Sequence, residues 1–333
     1  MRRIGTALAA LGLLLTAACH KPELISTEQL SRPHVVSIIE TNPRMIMDPG
    51  RSAANVSAGP MVGAPIAAVA AGAFVAGAMQ GIERSRADAG RSRADLLDDQ
   101  LGPTGDVGLA LQREFRNALT FEIARGTRMP IQRVETNPPS RLGQAPPGGE
   151  AMLYLQFSTL MTQDGRSVTL QVLVQQMAWK PENERRPRES PLAISNQLTL
   201  VAFSSPIEAA SPEIAIGRWR ESNYALLRQE TRALIPEILI LLRMAVLDAE
   251  PFDFANLRRT QSNLPGFSLV ERSLSGTPNH TVFQPSVWGH TVRATPQRAY
   301  FVMNTLVERP WVPADGWSVK PGWAWLSVPA GSL

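Results

Sequence analysis

The side chains able to do chemistry are few and scattered. The chain holds one cysteine, Cys19, among 333 residues, and four histidines, His20, His34, His280 and His290. A lone thiol excludes an intrachain disulfide, and in an oxidising compartment it is a liability unless it is capped. His280 and His290 lie in a loop-rich tail, where a metal site would need both of them with Glu271, Glu308 or Asp315. Hydrogen-bonded surface histidines are the ordinary expectation, so no metal is expected. Glu182 and Glu184 stand beside Arg185, Arg186 and Arg188, which describes a solvated charge cluster better than an acid–base pair. The sequence contains no phosphate-cradling glycine loop, no His-Glu-x-x-His, no Gly-x-Ser-x-Gly and no calcium loop. Carboxylates paired only by the fold stay open, but nothing here points to catalysis or to a cofactor.

The context of Cys19 is more specific. Arg2 and Arg3 precede an apolar run from Ile4 to Leu15, the layout of an export signal. That run is shorter than the ~20 apolar residues of a permanent spanning helix. Next comes Leu15-Thr16-Ala17-Ala18-Cys19, whose small residues suit the cleft of a signal peptidase. The stretch resembles the lipobox of bacterial lipoproteins. The resemblance implies removal of residues 1–18 and covalent diacylglycerol with an N-acyl lipid at Cys19, which caps the thiol and anchors the chain. It departs at Thr16, where the family has Leu; Leu15 stands one place too early. The alternative is an ordinary secretory signal that happens to contain a cysteine. His20 in place of Asp favours the outer membrane, periplasmic side, by resemblance to enterobacterial sorting. The formal charge of +4 halves when Arg2 and Arg3 leave, so nucleic acid is not an expected partner.

Residues 19–59 read as a lipidated terminus and an irregular tether. Pro33, Pro43, Pro49 and Gly50 punctuate it, around a short strand candidate at Val35-Val36-Ser37-Ile38-Ile39. Residues 60–100 form a second unit. From Met61 to Ile82 there is no charge, and small residues recur four apart at Ala64, Ala68, Gly72 and Ala76, and at Ala73, Gly77 and Gly81. On a helix these are smooth stripes for close packing, and the length is roughly 33 Å, enough to cross a bilayer. Ala68, Gly72, Ala73, Gly77 and Gly81 are therefore candidate membrane or oligomer contacts. A buried Ala-rich helix or hairpin and a flexible loop are the alternatives. The repeat Arg84-Ser85-Arg86-Ala87-Asp88 and Arg91-Ser92-Arg93-Ala94-Asp95 follows. It suits either anionic headgroups or a solvated helix face.

Residues 101–250 predict an α+β domain. A helix over 106–125 carries Leu111, Phe115, Leu119 and Ile123 on one face, stops at Gly126, and leads to a short strand over 129–134. Alternating runs at 151–161 and 167–177 flank Gln163-Asp164-Gly165, a hairpin signal. A further strand over 194–203 completes an antiparallel sheet. A helix over 221–246 turns Tyr224, Leu227, Leu234, Ile238, Leu241 and Ala245 toward that sheet, with a kink expected at Pro236. The tail, 251–333, holds five of the seven tryptophans, Trp288, Trp311, Trp317, Trp323 and Trp325. It predicts a small β appendage, or strands that complete the main sheet. Trp311, Trp317, Trp323 and Trp325 are candidate glycan-stacking or interface aromatics; filling the core of a small β unit is the alternative.

Residues 60–248 resemble in layout the bacterial envelope lipoproteins of the curli-secretion-channel kind, whose core is similar to the amino-terminal domain of the translocation protein TolB. The order is lipidated cysteine, loop, Gly/Ala-rich segment, amphipathic helix, hairpin, strand and long helix. No diagnostic motif carries the resemblance and no binding residue follows from it; the Trp-rich tail has no counterpart. It implies a non-enzymatic structural or assembly component of an envelope transport or secretion complex. Its partners would be membrane lipid and envelope proteins or further copies of itself. A lipoprotein binding peptidoglycan or lipopolysaccharide is the second expectation, and a periplasmic hydrolase the third.

Overall fold

The computed structural model describes residues 33–39, 46–47, 105–138, 151–162, 164–179, 192–252, 257, 259–262, 267–272, 278–283, 287–304 and 323–332. In chain order the first elements are β1 (His34–Ile39), β2 (Ile46–Met47), α1 (Gly105–Ala124), β3 (Ile131–Asn137) and β4 (Ala151–Met161). Then come β5 (Val168–Trp179), β6 (Leu192–Phe203), α2 (Pro212–Leu242) and a π-helical turn at Arg243–Leu247. The last strands are β7 (Arg259–Ser262), β8 (Phe267–Arg272), β9 (Pro278–Phe283), β10 (Val287–Ala294), β11 (Arg298–Asn304) and β12 (Trp323–Pro329). The class is α+β, with two long helices on a large sheet.

The hairpin forms where the alternation places it. Met161 pairs with Val168 and Met152 with Met177. The Asp-Gly turn is tied by Thr162 Oγ1 donating to Asp164 Oδ1 at 2.6 Å and by the Arg166 amide donating to the same oxygen at 3.1 Å. Gly165 sits at φ +67°, a conformation that costs glycine little. α1 stops at Gly126, φ +99°, whose amide bonds to the Ile123 carbonyl at 2.9 Å.

The antiparallel expectation is corrected to a mixed sheet. The strand order is β3-β1-β4-β5-β6-β12-β11-β10-β7, with β2 beside β4. β1 runs parallel to both β3 and β4, and β12 runs parallel to β6; the remaining neighbours along that order are antiparallel. Two sequence features explain the difference. His34-Val-Val-Ser-Ile-Ile39 is buried at every position, and a strand enclosed on both faces reads as a continuous apolar run, the habit of interior parallel strands. Parallel partners also need long crossovers, which no local pattern reveals. Residues 34–39 thus lie inside the sheet, second from its β3 edge, and not in a tether.

The Trp-rich strands are likewise no appendage. β12 inserts between β6 and β11, and β10 and β7 follow outward, so the alternative of strands completing the main sheet holds. A separate pair, β8 with β9, approaches β5.

α2 starts earlier than expected. Ser211 caps it by accepting from the Ile214 amide at 3.3 Å, and Pro212 occupies the first turn, where its missing N–H is harmless. The non-helical backbone lies at Glu221–Tyr224 and not at Pro236. The apolar faces of both helices meet the sheet in one cluster. It runs through Phe115, Leu119, Val36, Leu155, Val172, Leu200, Trp219, Leu234, Ile238, Val302 and Trp325. Two smaller clusters lie apart from it, one around Phe203, Phe301 and Leu326, the other around Ile39, Tyr154 and Met177.

Candidate functional site

Glu237 is a carboxylate in an apolar stretch, Leu234-Ile-Pro-Glu-Ile-Leu-Ile-Leu-Leu242, on the helix that covers the sheet. Its burial demands partners, and strands from the far end of the chain supply them. Ser327 Oγ on β12 donates to Glu237 Oε2 at 2.7 Å, and Tyr300 Oη on β11 donates to the same oxygen at 3.1 Å. Arg298 Nε stands 3.8 Å from Oε1, and Arg298 also donates to the Phe203 carbonyl. Burial, then the adjacent Glu237 charge, pushes the Tyr300 phenol up to about 12, so it remains a donor at neutral pH. Ser327 is 0 % and Tyr300 4 % exposed. The arrangement neutralises a charge and clamps α2 to β11 and β12.

A second ionic cluster joins the helix ends. Arg243 donates through Nη1 to Glu122 Oε2 at 2.9 Å, through Nε to Asp248 Oδ2 at 2.8 Å, and through Nη2 to the Gly126 carbonyl at 3.1 Å. Asp248 Oδ1 accepts from the Arg128 amide at 3.1 Å. The hydrogen bond from Arg243 holds the Glu122 carboxyl below its ordinary range against the opposing effect of burial, and Glu122 holds the Arg243 guanidinium further up. Here too the chemistry fastens two elements together.

A third feature is polar but uncharged. On β4, β5 and β6, Gln156, Thr169, Gln171, Gln175, Gln197 and Thr199 are all buried. They alternate with the residues that enter the helix-covered cluster and so point to the opposite face. Gln175 Nε2 donates to Gln197 Oε1 at 3.0 Å, across a directly registered pair. Gln171 Nε2 lies 3.4 Å from Thr169 Oγ1. Among the described residues, Gln156 Nε2 and Gln175 Oε1 meet no hydrogen-bond partner.

The residues singled out from the sequence fare differently. Cys19, Ala68, Gly72, Ala73, Gly77, Gly81, Trp311 and Trp317 lie outside the described residues, as do both Arg-Ser-Arg repeats, Glu182, Glu184, Glu308 and Asp315. Trp323 begins β12. Trp325 is corrected from a candidate glycan contact to a core residue, 3 % exposed, with its ring 5.5 Å from that of Phe252. Alternation along β12 turns it under the helices. His34 is corrected from a surface histidine to a buried one, its Nε2 2.8 Å from Gln176 Nε2. His290 Nδ1 lies 3.4 Å from the Leu257 carbonyl. Among the described residues no group of three or more His, Cys, Asp or Glu side chains could hold a metal. No described helix is long and apolar enough to cross a membrane.

Sequence reasoning missed Glu237, Arg298, Tyr300 and Ser327. The signal was a single acid inside an apolar helical run, which announces a buried partner without naming it. No family model, no curated protein and no solved structure matches this chain.

Proposed function

We propose that this protein is a non-enzymatic, lipid-anchored component of a bacterial envelope assembly, held through Cys19 at the periplasmic face of the outer membrane. One observation carries the reading: the sole cysteine of the chain stands directly after Arg2-Arg3, a short apolar run and the small pair Ala17-Ala18. A thiol placed there is explained by lipidation and by little else. The body behind the anchor is an α+β unit, read as similar in layout to curli-secretion-channel lipoproteins. The small-residue stripes of residues 61–82 would supply close contacts to the membrane or to further copies.

Metabolic labelling with radioactive palmitate tests the anchor. Label should appear on the wild-type protein, and Cys19→Ser should abolish it and release the chain from the membrane fraction. Labelling that survives Cys19→Ser would overturn the assignment of the anchor to Cys19.

A further inference from the structure

α2 is bent at one place, and that place is strained. Ser222 (φ 52°, ψ 40°), Asn223 (φ 53°, ψ 49°) and Tyr224 (φ 60°, ψ 26°) are three successive non-glycine residues in the left-handed region, preceded by an extended Glu221 (φ −55°, ψ 147°). Each such residue is disfavoured against right-handed helix by roughly five- to thirtyfold, asparagine least. A strained turn of this kind persists only where its surroundings hold it.

Anchors on both sides of the bend, Trp219 before it and Tyr224 after it, enter the same core cluster and do the holding. Before the bend, Trp219 is fully buried and its Nε1 donates to the Gly165 carbonyl at 2.8 Å. Ala215 is buried against the same turn, where a Cβ on Gly165 would stand 3.6 Å from the Ala215 Cβ. After the bend, Tyr224, Leu227, Leu234 and Ile238 enter the main core. Between the two anchors, Ser222 and Asn223 are exposed, so no packing of their own side chains favours the left-handed form.

We infer that residues 212–220 are a releasable lever hinged at 221–224. In its second state Trp219 leaves the Gly165 carbonyl, the hinge residues turn right-handed, and the lever continues the helix of residues 225–242. The strain subtracts from the free energy that holds the lever down, and helix propagation through the hinge rewards its release. The connection before it is exposed at Ser205, Pro206, Glu208 and Ala210; Ile207, tied to Arg166 through its amide and its carbonyl, is the fixed point from which the movement starts. Release uncovers Trp219 and the turn at 162–167. This inference stands independently of the lipid anchor.

The test is the solvent-exchange rate of the Trp219 indole proton, measured by NMR on the full chain and assigned by its loss in Trp219→Phe. Opening exposes that proton, so its rate follows the opening equilibrium. Glycine accepts the left-handed region and weakens a straight helix, whereas alanine does the reverse. Ser222→Gly with Asn223→Gly should slow exchange about tenfold, and Ser222→Ala with Asn223→Ala should speed it about tenfold. The backbone amides of residues 234–242 should not change in either variant. Shifts of the same sign in both pairs, no shift in either, or a parallel shift at 234–242 would each overturn the lever.

Discussion

Along β5, Val168, Leu170, Val172 and Val174 enter the cluster beneath the helices, while Thr169, Gln171 and Gln175 point the other way and are as deeply buried. One face of the sheet is a continuous apolar core. The other holds apolar patches around Phe301 and around Tyr154, with a row of amides and hydroxyls on the strands between. Area removed from water favours the first face strongly. On the second, much of what is buried is polar, and its value lies in pairing: Gln175 meets Gln197 only in the observed register. A shift of β6 by two residues would keep the alternation and lose that bond. The comparison suggests that stability resides mainly under the helices, while the opposite face helps to select one strand alignment over its neighbours.

The largest effect should come from the helix-covered face. Phe115 is fully buried with its ring edge-on to Phe157 at 4.6 Å, and Phe115→Ala should cost about 3–5 kcal/mol in urea denaturation. A loss below about 1 kcal/mol would contradict the ranking of the two faces.

A smaller effect is expected from the clamp that closes the helix layer. Glu122→Gln weakens a charge-assisted bond to Arg243 and should cost about 1 kcal/mol at pH 7. The sign with pH follows from the lowered carboxyl. The Glu122 contribution is present above its unfolded value near 4.5 and is lost as pH falls through the folded value below that. Melting curves between about pH 6 and pH 3 should therefore converge for wild type and variant. Curves that stay parallel across that range would show that Glu122 does not couple to folding.

The smallest effect belongs to the polar row. Gln156 buries an amide nitrogen that meets no partner among the described residues, so Gln156→Leu removes a desolvated donor and should leave stability within about 1 kcal/mol of wild type, on the favourable side. A loss above about 2 kcal/mol would mean that the row works as one cooperative network.

Much of the central architecture was legible in the sequence. The hairpin followed from alternation around Asp164-Gly165, α1 from Leu111, Phe115 and Leu119 at helical spacing, and the class from their combination. What escaped was long-range. Nothing near residues 34–39 says that they lie between strands that begin at 131 and 151, because interior parallel pairing is set by crossovers. The start of α2 was readable, since Ser211-Pro212-Glu213 is a helix-start signature. The bend at 221–224 was not, because it is imposed by the anchors on both sides of it and opposed by local preference. The Glu237 clamp escaped for a related reason: its four members come from residues 237, 298, 300 and 327, and only the isolated acid carried a local hint. Alternation alone did not tell that the far face, with its glutamines and threonines, is enclosed as well.

The position of β12 has a consequence for the order of events as the chain is made. Among the described residues, β11, β10 and β7 reach the rest of the sheet through β12, and β12 is the last of the described strands in chain order. β1, the first to emerge, waits for β3 and β4, which come about a hundred residues later. Neither end of the sheet can therefore zip up as it is synthesised. Such non-local pairing slows folding, and it leaves the apolar strand at 34–39 without its partners through much of translation. Without β12, the strands β11, β10 and β7 would lack the partner that joins them to β6. β12 thus acts as the keystone of the described sheet, joining strands on either side of it that lie far apart in the chain.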